Sequence, residues 1–135
     1  MSDTTTPESF KTRVFNKGET LVRDGEKGDD VFLIVKGKVE VRKALRNDRH
    51  LSLGFKEKGE IIGEFSAFDD QPHVATVVAL DETVVTVMTR AEFQRRVATV
   101  DPIVRNAVFS VVRRARDLIG QLVEKAEPIR LGSKR

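Results

Sequence analysis

Residues 63–76 of the sequence read GEFSAFDDQPHVAT, a glycine and a carboxylate followed by small and apolar residues up to a proline. This pattern places several free backbone amides at the start of one helical turn, where they attract an anion such as phosphate. Glu64 would repel that anion unless it points to another part of the ligand, and a sugar hydroxyl is the natural donor to it. The segment therefore suits a sugar phosphate.

The region around this segment, from residue 14 to residue 89, consists of short apolar runs that glycines and charged turns interrupt at near-regular spacing. Such spacing is typical of an antiparallel barrel or sandwich. Residues 31–35 are apolar on both faces and predict a buried strand that ends in a tight turn. Further strands are predicted at Val39 and Val41, at Leu51, Leu53 and Phe55, at residues 75–80 and at residues 84–88. At least six strands are expected before residue 90.

Two helices are predicted after the strands. Thr89 and Glu92 have the spacing of a capping box, so a helix is expected to begin there. Asp101 and Pro102 then favour the start of a second, longer helix that runs to about Glu127.

The longer helix carries two apolar stripes. One follows alternating steps of four and three and contains Val104, Val108, Val111, Ala115, Leu118 and Leu122. The other contains Phe109, Val112, Ile119 and Val123. Either both stripes lie on the barrel, or one of them faces a second copy of the chain. We favour the second interpretation and expect a homodimer through this helix.

Composition limits the classes of function. A chain of 135 residues with 39% hydrophobic and 33% charged residues suits one globular domain. Because it has no cysteine and only His50 and His73, thiolate chemistry and a three-histidine metal centre are excluded, and no metal or cofactor is expected. The net charge of +3 is mild and spread along the chain, which gives no reason to expect nucleic acid as a partner.

We divide the chain into three parts. Residues 1–12 are expected to form a flexible arm with a helical turn at residues 8–12, and residues 128–135 a disordered tail. Residues 13–127 form one domain, with a barrel at 13–89 and helices at 90–127. No stretch has the length of a membrane span, and the first residues lack the pattern of a secretory signal, so a cytoplasmic protein is the default expectation.

Glycines in a fixed order extend the pattern of residues 63–76 toward the amino end. They occur as Gly18-Glu19, Gly25, Gly28-Asp29 and Gly37, the last with Val39 and Val41 behind it. With these features the chain resembles the cyclic-nucleotide-binding domain family. The resemblance implies a mainly β fold with flanking helices, an eight-stranded jelly-roll barrel that holds the ligand and is followed by a long C-terminal helix.

The resemblance also implies a ligand-binding set, which is Gly63, Glu64, Phe65, Ser66, Ala67, His73, Val74 and Ala75. Glu64 matches the family glutamate that accepts a hydrogen bond from the ribose 2′-hydroxyl, and Ser66 and Ala67 match positions that line the phosphate. Val74 offers no hydrogen bond where a hydroxyl in some relatives favours guanine, so cyclic AMP is favoured over cyclic GMP. The base lid is expected from the long helix, at Val111, Arg114, Ala115 or Leu118.

His73 departs from the family pattern, which has an arginine at this position. A histidine lacks the planar guanidinium fork, so phosphate binding is expected to weaken by roughly ten- to a hundredfold. Two interpretations remain open. His73 is either a proton-dependent phosphate contact that strengthens in mild acid, or a polar group at the rim of a lapsed pocket.

The leading hypothesis is a non-catalytic cyclic-nucleotide sensor that closes its long helix over the barrel. The alternative is a degenerate barrel that binds no nucleotide and serves as a dimerising or docking adaptor. Too few residues follow Glu127 for a DNA-binding domain. Asp69 and Asp70 are expected to form a solvated turn, whose charge would also lower the local potential felt by an anion. The arginines 113, 114 and 116 are expected to form a solvated helix face rather than a DNA contact.

Overall fold

The computed structural model describes residues 10–127, which form eight β-strands and three helices. The strands are β1 (Lys11–Phe15), β2 (Thr20–Val22), β3 (Asp30–Lys36), β4 (Lys38–Ala44), β5 (His50–Glu57), β6 (Ile61–Ile62), β7 (Thr76–Ala79) and β8 (Thr83–Thr89). The helices are α1 (Glu64–Asp69), α2 (Arg90–Val97) and α3 (Pro102–Ala126). The predicted mainly β fold with a long C-terminal helix is confirmed.

The strands form two antiparallel four-stranded sheets. One has the order β1-β8-β3-β6 and the other β2-β7-β4-β5. Side chains from both sheets pack into a single cluster between them, as in a jelly-roll barrel. Phe15, Phe32 and Val85 come from the first sheet, and Val39 and Val77 from the second. The cavity described below opens beside this cluster, and Val22, Ile62 and Val77 belong to both.

β3 is a strand, as predicted, but one of its faces is buried only at Val31, which is 4% exposed. Phe32 and Ile34 are 3% and 1% exposed, whereas Leu33 and Val35 are 39% and 45% exposed. Successive side chains of a strand point to opposite faces, so an apolar run does not by itself show that both faces are covered. The prediction of burial on both faces is therefore wrong for Leu33 and Val35.

β5 contains a β-bulge that changes which side chains face inward. Val41 pairs with Gly54 but Arg42 pairs with Ser52, so Leu53 is an extra residue in β5. Gly54 has φ 124°, a conformation that favours glycine. The predicted alternation of Leu51, Leu53 and Phe55 fails after the bulge, because Phe55 is 54% exposed.

β1 begins at Lys11, two residues before the expected start of the barrel. Phe15 is 5% exposed and packs edge-on against Phe32, with ring centroids 5.6 Å apart. This anchor and the pairing with β8 override the local sequence, so the helical turn expected at residues 8–12 is wrong at Lys11 and Thr12. The rest of the arm, residues 1–9, and the expected tail, residues 128–135, lie outside the described residues.

Both predicted helix starts are confirmed. The Thr89 hydroxyl accepts a hydrogen bond from the Glu92 amide at 3.1 Å, and Asp101 caps α3 by accepting from the Ile103 amide at 2.8 Å. Glu92 does not complete the capping box, because its carboxylate binds Arg95 and Arg96 instead.

The two stripes of α3 have different surroundings. In the second stripe, Val112 is 4% exposed, and Ile119 and Val123 are half-buried. In the first stripe, Val111 is 67% exposed, and the other large side chains are also exposed. The interpretation that both stripes lie on the barrel is therefore wrong. Within residues 10–127, α3 and the shorter helices are all too polar or too short to cross a membrane.

Candidate functional site

A cavity of about 280 Å³ opens between the barrel and α3, close to the lower end of the volume range of small-molecule sites. Residues 63–65 and 73–75 form part of its wall. Ile119 of α3 lines it as well, and Leu53 and Lys56 come from β5. The structure thus brings together six of the eight predicted site residues.

Gly63 sets the direction of the chain as it enters α1. Its φ is 87°, in the left-handed region, and it caps the helix without a side-chain hydrogen bond. A Cβ atom at this position would lie 3.2 Å from the Asp30 carbonyl oxygen, a tight contact. This turn places Glu64 at the start of α1 and on the cavity wall.

Glu64 lies beside a lysine, Lys56, on the cavity wall. The Lys56 ammonium lies 3.5 Å from Glu64 Oε2, and the two side chains are 28% and 33% exposed. Lys56 Nζ also donates a hydrogen bond to the Ile61 carbonyl oxygen at 2.7 Å. Glu64 is thus a partly exposed acceptor beside a cation, and both groups are within reach of a bound molecule.

Ser66 and Ala67, which the resemblance placed beside the phosphate, do not line the cavity. They are 0% and 1% exposed. Arg90 donates to the Ser66 hydroxyl at 3.0 Å and to its carbonyl oxygen at 2.9 Å, and Gln94 donates to the Ala67 carbonyl oxygen at 3.1 Å. α2 therefore holds these two residues from the side away from the cavity.

His73 is buried rather than placed at a rim, with 7% of its surface exposed. Its backbone is fixed by the β2–β3 connection, because its amide donates to the Glu26 carbonyl oxygen at 2.8 Å and its carbonyl oxygen accepts from the Gly25 amide at 2.9 Å. A Cβ atom on Gly28 would lie 2.9 Å from His73 Nε2, so a larger residue at this position would require the ring to shift. Nε2 has no hydrogen-bond partner among the described residues.

The surroundings of His73 favour its neutral form. Burial lowers the pKa of His73, and the positive charges of Arg90 and Arg116 lower it further. The carboxylates of Glu26 and Asp24 act in the opposite direction but are weaker. His73 is therefore a neutral imidazole near pH 7.

Val74 and Ala75 complete the cavity wall that follows Pro72. Ala75 is 4% exposed and Val74 is half-buried. The Val74 carbonyl oxygen accepts a hydrogen bond of 2.8 Å from Lys43, and Lys43 also pairs with Asp24. These contacts hold the strand entry in place, while both side chains remain apolar and offer a ligand shape rather than hydrogen bonds.

Arg116 joins α3 to the end of α1. Its Nε and Nη2 atoms lie 2.6 and 2.9 Å from the two carboxylate oxygens of Asp69, and Nη1 donates to the Pro72 carbonyl oxygen at 2.9 Å. The Asp69 side chain is 7% exposed. The expectation that Asp69 and Arg116 are only solvated is wrong, because they pair with each other.

None of the four residues of α3 expected to cover the base, Val111, Arg114, Ala115 and Leu118, lines the cavity. Val111 and Leu118 are 67% and 50% exposed, and Arg114 is exposed as well. Ile119, one position after Leu118, lines the cavity. Ile119 belongs to the second apolar stripe of α3. The sequence therefore marks it as an apolar contact residue, but it does not show which of the two stripes faces the barrel.

Lys56 and Arg90 are also absent from the predicted set. The glycine at position 54 inside a strand pattern signals a bulge, and such a bulge moves Lys56 to the inner face. Arg90 lies 24 residues from its partner Ser66, and no local pattern predicts that contact. Within residues 10–127, no group of three histidine or acidic side chains has an arrangement that could hold a metal ion.

Comparisons with known proteins identify the family of this chain. A model of the cyclic nucleotide-binding domain matches residues 12–99. The regulatory subunit of cAMP-dependent protein kinase from Pyricularia oryzae is 28% identical over 106 residues, which are 78% of this chain and 26% of that subunit. The corresponding subunit from Candida albicans is 34% identical over 89 residues, 65% of this chain and 18% of that subunit.

A solved structure shares the fold. The EAL enzyme Bd1971, bound to cAMP and cyclic-di-GMP, superposes with a TM-score of 0.76 at 26% identity, covering 92% of this chain and 33% of that one. The chain belongs to the cyclic nucleotide-binding domain family. It spans 26% of the length of the Pyricularia subunit and 18% of the Candida subunit.

Proposed function

We propose that this domain is a non-catalytic sensor that binds a cyclic nucleotide, with cyclic AMP preferred, in the cavity between the barrel and α3. One observation carries the proposal. Residues 63–65 and 73–75 form one wall of the cavity, and Ile119 of α3 forms part of another. A molecule in this cavity touches both the barrel and the helix whose position it would control.

We expect different residues to contact the ribose, the base and the phosphate of the ligand. Glu64 is placed to accept a hydrogen bond from the ribose 2′-hydroxyl, because its carboxylate lies on the wall and is partly exposed. Val74 offers the base a methyl surface and no hydrogen bond, which suits adenine. Since neutral His73 replaces an arginine, we expect the phosphate to be held about ten- to a hundredfold more weakly than by a guanidinium fork.

The signal follows from contacts that α3 makes with the cavity wall. Ile119 lines the cavity, and Arg116 binds Asp69 at the end of α1, the helix that begins with Glu64. A ligand that shifts α1 or fills the space beside Ile119 changes the balance between two positions of α3. The size of the response is set by the difference in affinity between these positions.

Calorimetric titration with cyclic AMP and cyclic GMP tests the sensor. We expect saturable heat at both pH 6 and pH 7.5, with cyclic AMP binding more tightly. Glu64→Gln should weaken binding about tenfold, the loss of one hydrogen bond to a charged group. Glu57→Gln, at an exposed carboxylate at the end of β5, is the matched control. Absence of heat at millimolar cyclic nucleotide at both pH values would refute the proposal.

A second candidate function is a dimerising or docking adaptor without a nucleotide, and the exposed stripe of α3 favours it. Val104, Val111, Leu118 and Leu122 are each between 48% and 67% exposed. Together with Val108 and Ala115 they follow alternating steps of four and three, a seam that suits a second copy of the same helix. Dimerisation by itself is also compatible with nucleotide sensing, because the seam and the cavity use different faces of α3.

Sedimentation tests the dimer. We expect a homodimer for the wild-type chain and a monomer for Leu118→Glu, which places a charge in the seam. Asn106→Glu adds the same charge to an exposed position of α3 outside both stripes and should leave the dimer intact. A wild-type chain that stays monomeric at high concentration contradicts this second function. Capture of a partner from lysate is compared with and without nucleotide. Capture that does not depend on nucleotide favours the adaptor, and capture that changes with nucleotide favours the sensor.

A further inference from the structure

Few charged side chains line the cavity, and more of them are negative than positive. Glu60 and Glu64 are carboxylates on its wall, and His73 is neutral. Among the described residues that line the cavity, Lys56 is the only one with a positive charge at neutral pH. An anion that enters a cavity lined by two carboxylates needs a cation as a partner, and Lys56 is the group available.

Lys56 reaches the cavity because of the bulge in β5. In an unbroken strand, Leu51, Leu53 and Phe55 share one face and Lys56 lies on the other. The extra residue at the bulge exchanges the faces, so that Phe55 is 54% exposed while the Lys56 side chain is 28% exposed and lines the cavity. Gly54, whose φ of 124° favours glycine, thus allows a bulge that points an ammonium group inward.

The ammonium has donors to spare. An ammonium carries three N–H donors, and one of them is used at 2.7 Å by the Ile61 carbonyl oxygen. The Glu64 carboxylate lies further away, at 3.5 Å, at the limit of a hydrogen bond. Because the four-carbon stem of lysine is flexible, a small movement of Nζ redirects the remaining donors to a bound molecule.

We propose that Lys56 is the anion-binding residue of this cavity and that its ammonium contacts the phosphate of the bound nucleotide. This inference rests on the proposed function. In a cyclic nucleotide the 2′-hydroxyl and the cyclic phosphate are attached to neighbouring ribose carbons. Glu64 and Lys56 are neighbours on the cavity wall, so the carboxylate takes the hydroxyl and the ammonium takes the phosphate. The contact between Lys56 and Glu64 then gives way to two contacts with the ligand.

Competition between charged and uncharged ligands tests this role. The purified domain is titrated with cyclic AMP and with adenosine, which lacks the phosphate. We expect the wild type to prefer cyclic AMP, and Lys56→Met to lose about tenfold in cyclic AMP affinity with little change for adenosine. The affinity of the wild type for cyclic AMP should fall as salt is raised, and that of Lys56→Met should fall less. Lys58→Met, at an exposed lysine in the next turn, is the matched control.

A second variant and a melting measurement distinguish the loss of the phosphate contact from the loss of the fold. Lys56→Arg keeps the charge and should retain the preference for cyclic AMP, and thermal melting of each variant confirms that it is folded. If Lys56→Met binds cyclic AMP like the wild type, or if the wild type binds adenosine as tightly as cyclic AMP, the role of Lys56 is refuted while the sensor stands. If the wild type binds neither molecule, both proposals are refuted.

Discussion

Arg116 and Asp69 form a two-pronged ion pair between helices that are far apart in the sequence. The guanidinium nitrogens lie 2.6 and 2.9 Å from the two carboxylate oxygens. The side chains are 19% and 7% exposed, so the pair is well shielded from water. Because Arg116 also binds the Pro72 carbonyl oxygen, one residue of α3 holds both ends of the segment that precedes His73. Movement of α3 away from the cavity must break these bonds.

Removal of the Arg116 fork should therefore loosen α3. We expect Arg116→Met to lower the free energy of unfolding by about 1.5–3 kcal/mol, the contribution of hydrogen bonds to a charged group. Amide hydrogen exchange in α3 should become faster. Arg114→Met, at an exposed arginine of the same helix, is the control and should stay within about 0.5 kcal/mol of the wild type. Urea unfolding measures the first effect, and equal stability of the two variants would contradict the account.

The stability of the domain should depend on pH through His73. The pKa of His73 in the folded state lies below the ordinary value of 6.5, because of burial first and the charges of Arg90 and Arg116 second. The unfolded chain therefore binds a proton near pH 6.5 while the folded chain still resists it, so stability is full above this pH and falls as the pH drops below it. Urea unfolding between pH 7.5 and pH 5 measures this fall.

His73→Gln separates this effect from other titrations. Glutamine keeps a polar side chain without a proton equilibrium in this range, so the fall in stability between pH 7.5 and pH 5 should be smaller than in the wild type. Glu92 contributes little between pH 7.5 and pH 5, because the ordinary pKa of its carboxyl, 4.5, lies below this range and Arg95 and Arg96 lower the pKa in the folded state to about 2. Parallel pH curves for the wild type and His73→Gln would show that His73 is not the group responsible.

Restoring the guanidinium should strengthen ligand binding. His73→Arg adds a planar fork of donors beside the wall formed by Val74 and Ala75, and we expect cyclic AMP to bind about ten- to a hundredfold more tightly. Calorimetry measures the change, with His73→Gln as the uncharged comparison. An arginine variant that is folded but binds no more tightly than the wild type would show that the phosphate does not approach residue 73.

The choice between bases should depend on Val74. Val74→Thr replaces a methyl group with a hydroxyl of similar volume on the cavity wall, and that hydroxyl can bond to guanine. We expect the affinity for cyclic GMP relative to cyclic AMP to rise about two- to tenfold, the effect of one neutral hydrogen bond. Paired titrations with the two nucleotides measure this ratio. An unchanged ratio would place the base away from Val74.

The sequence predicted the parts of the fold that are determined by residues close together in the chain. The helix starts at Thr89 and Asp101 follow from capping chemistry, and the strands around Val39 and residues 84–88 follow from short apolar runs between turns. Burial was less accessible, because the pattern of β3 does not reveal that the outer side of Leu33 and Val35 is uncovered. The start of β1 depends on pairing with β8, more than 65 residues away in the sequence.

The sequence predicted only part of the candidate site. Gly63, Glu64, His73 and Val74 line the cavity as the segment predicts, but Ser66 is bound by Arg90 on the other side of α1. Such contacts join residues that are distant in the sequence, so no spacing reveals them. The inward direction of Lys56 depends on one extra residue in β5, and a shift of one position exchanges the faces of a strand.

A crystal structure of the domain grown with excess cyclic AMP tests the central claim most directly. Our account predicts density for one nucleotide beside Glu64, with its phosphate near Lys56 and with α3 in contact through Ile119. A cavity closed by the protein's own side chains at saturating nucleotide, with no ligand density beside Glu64, would contradict it.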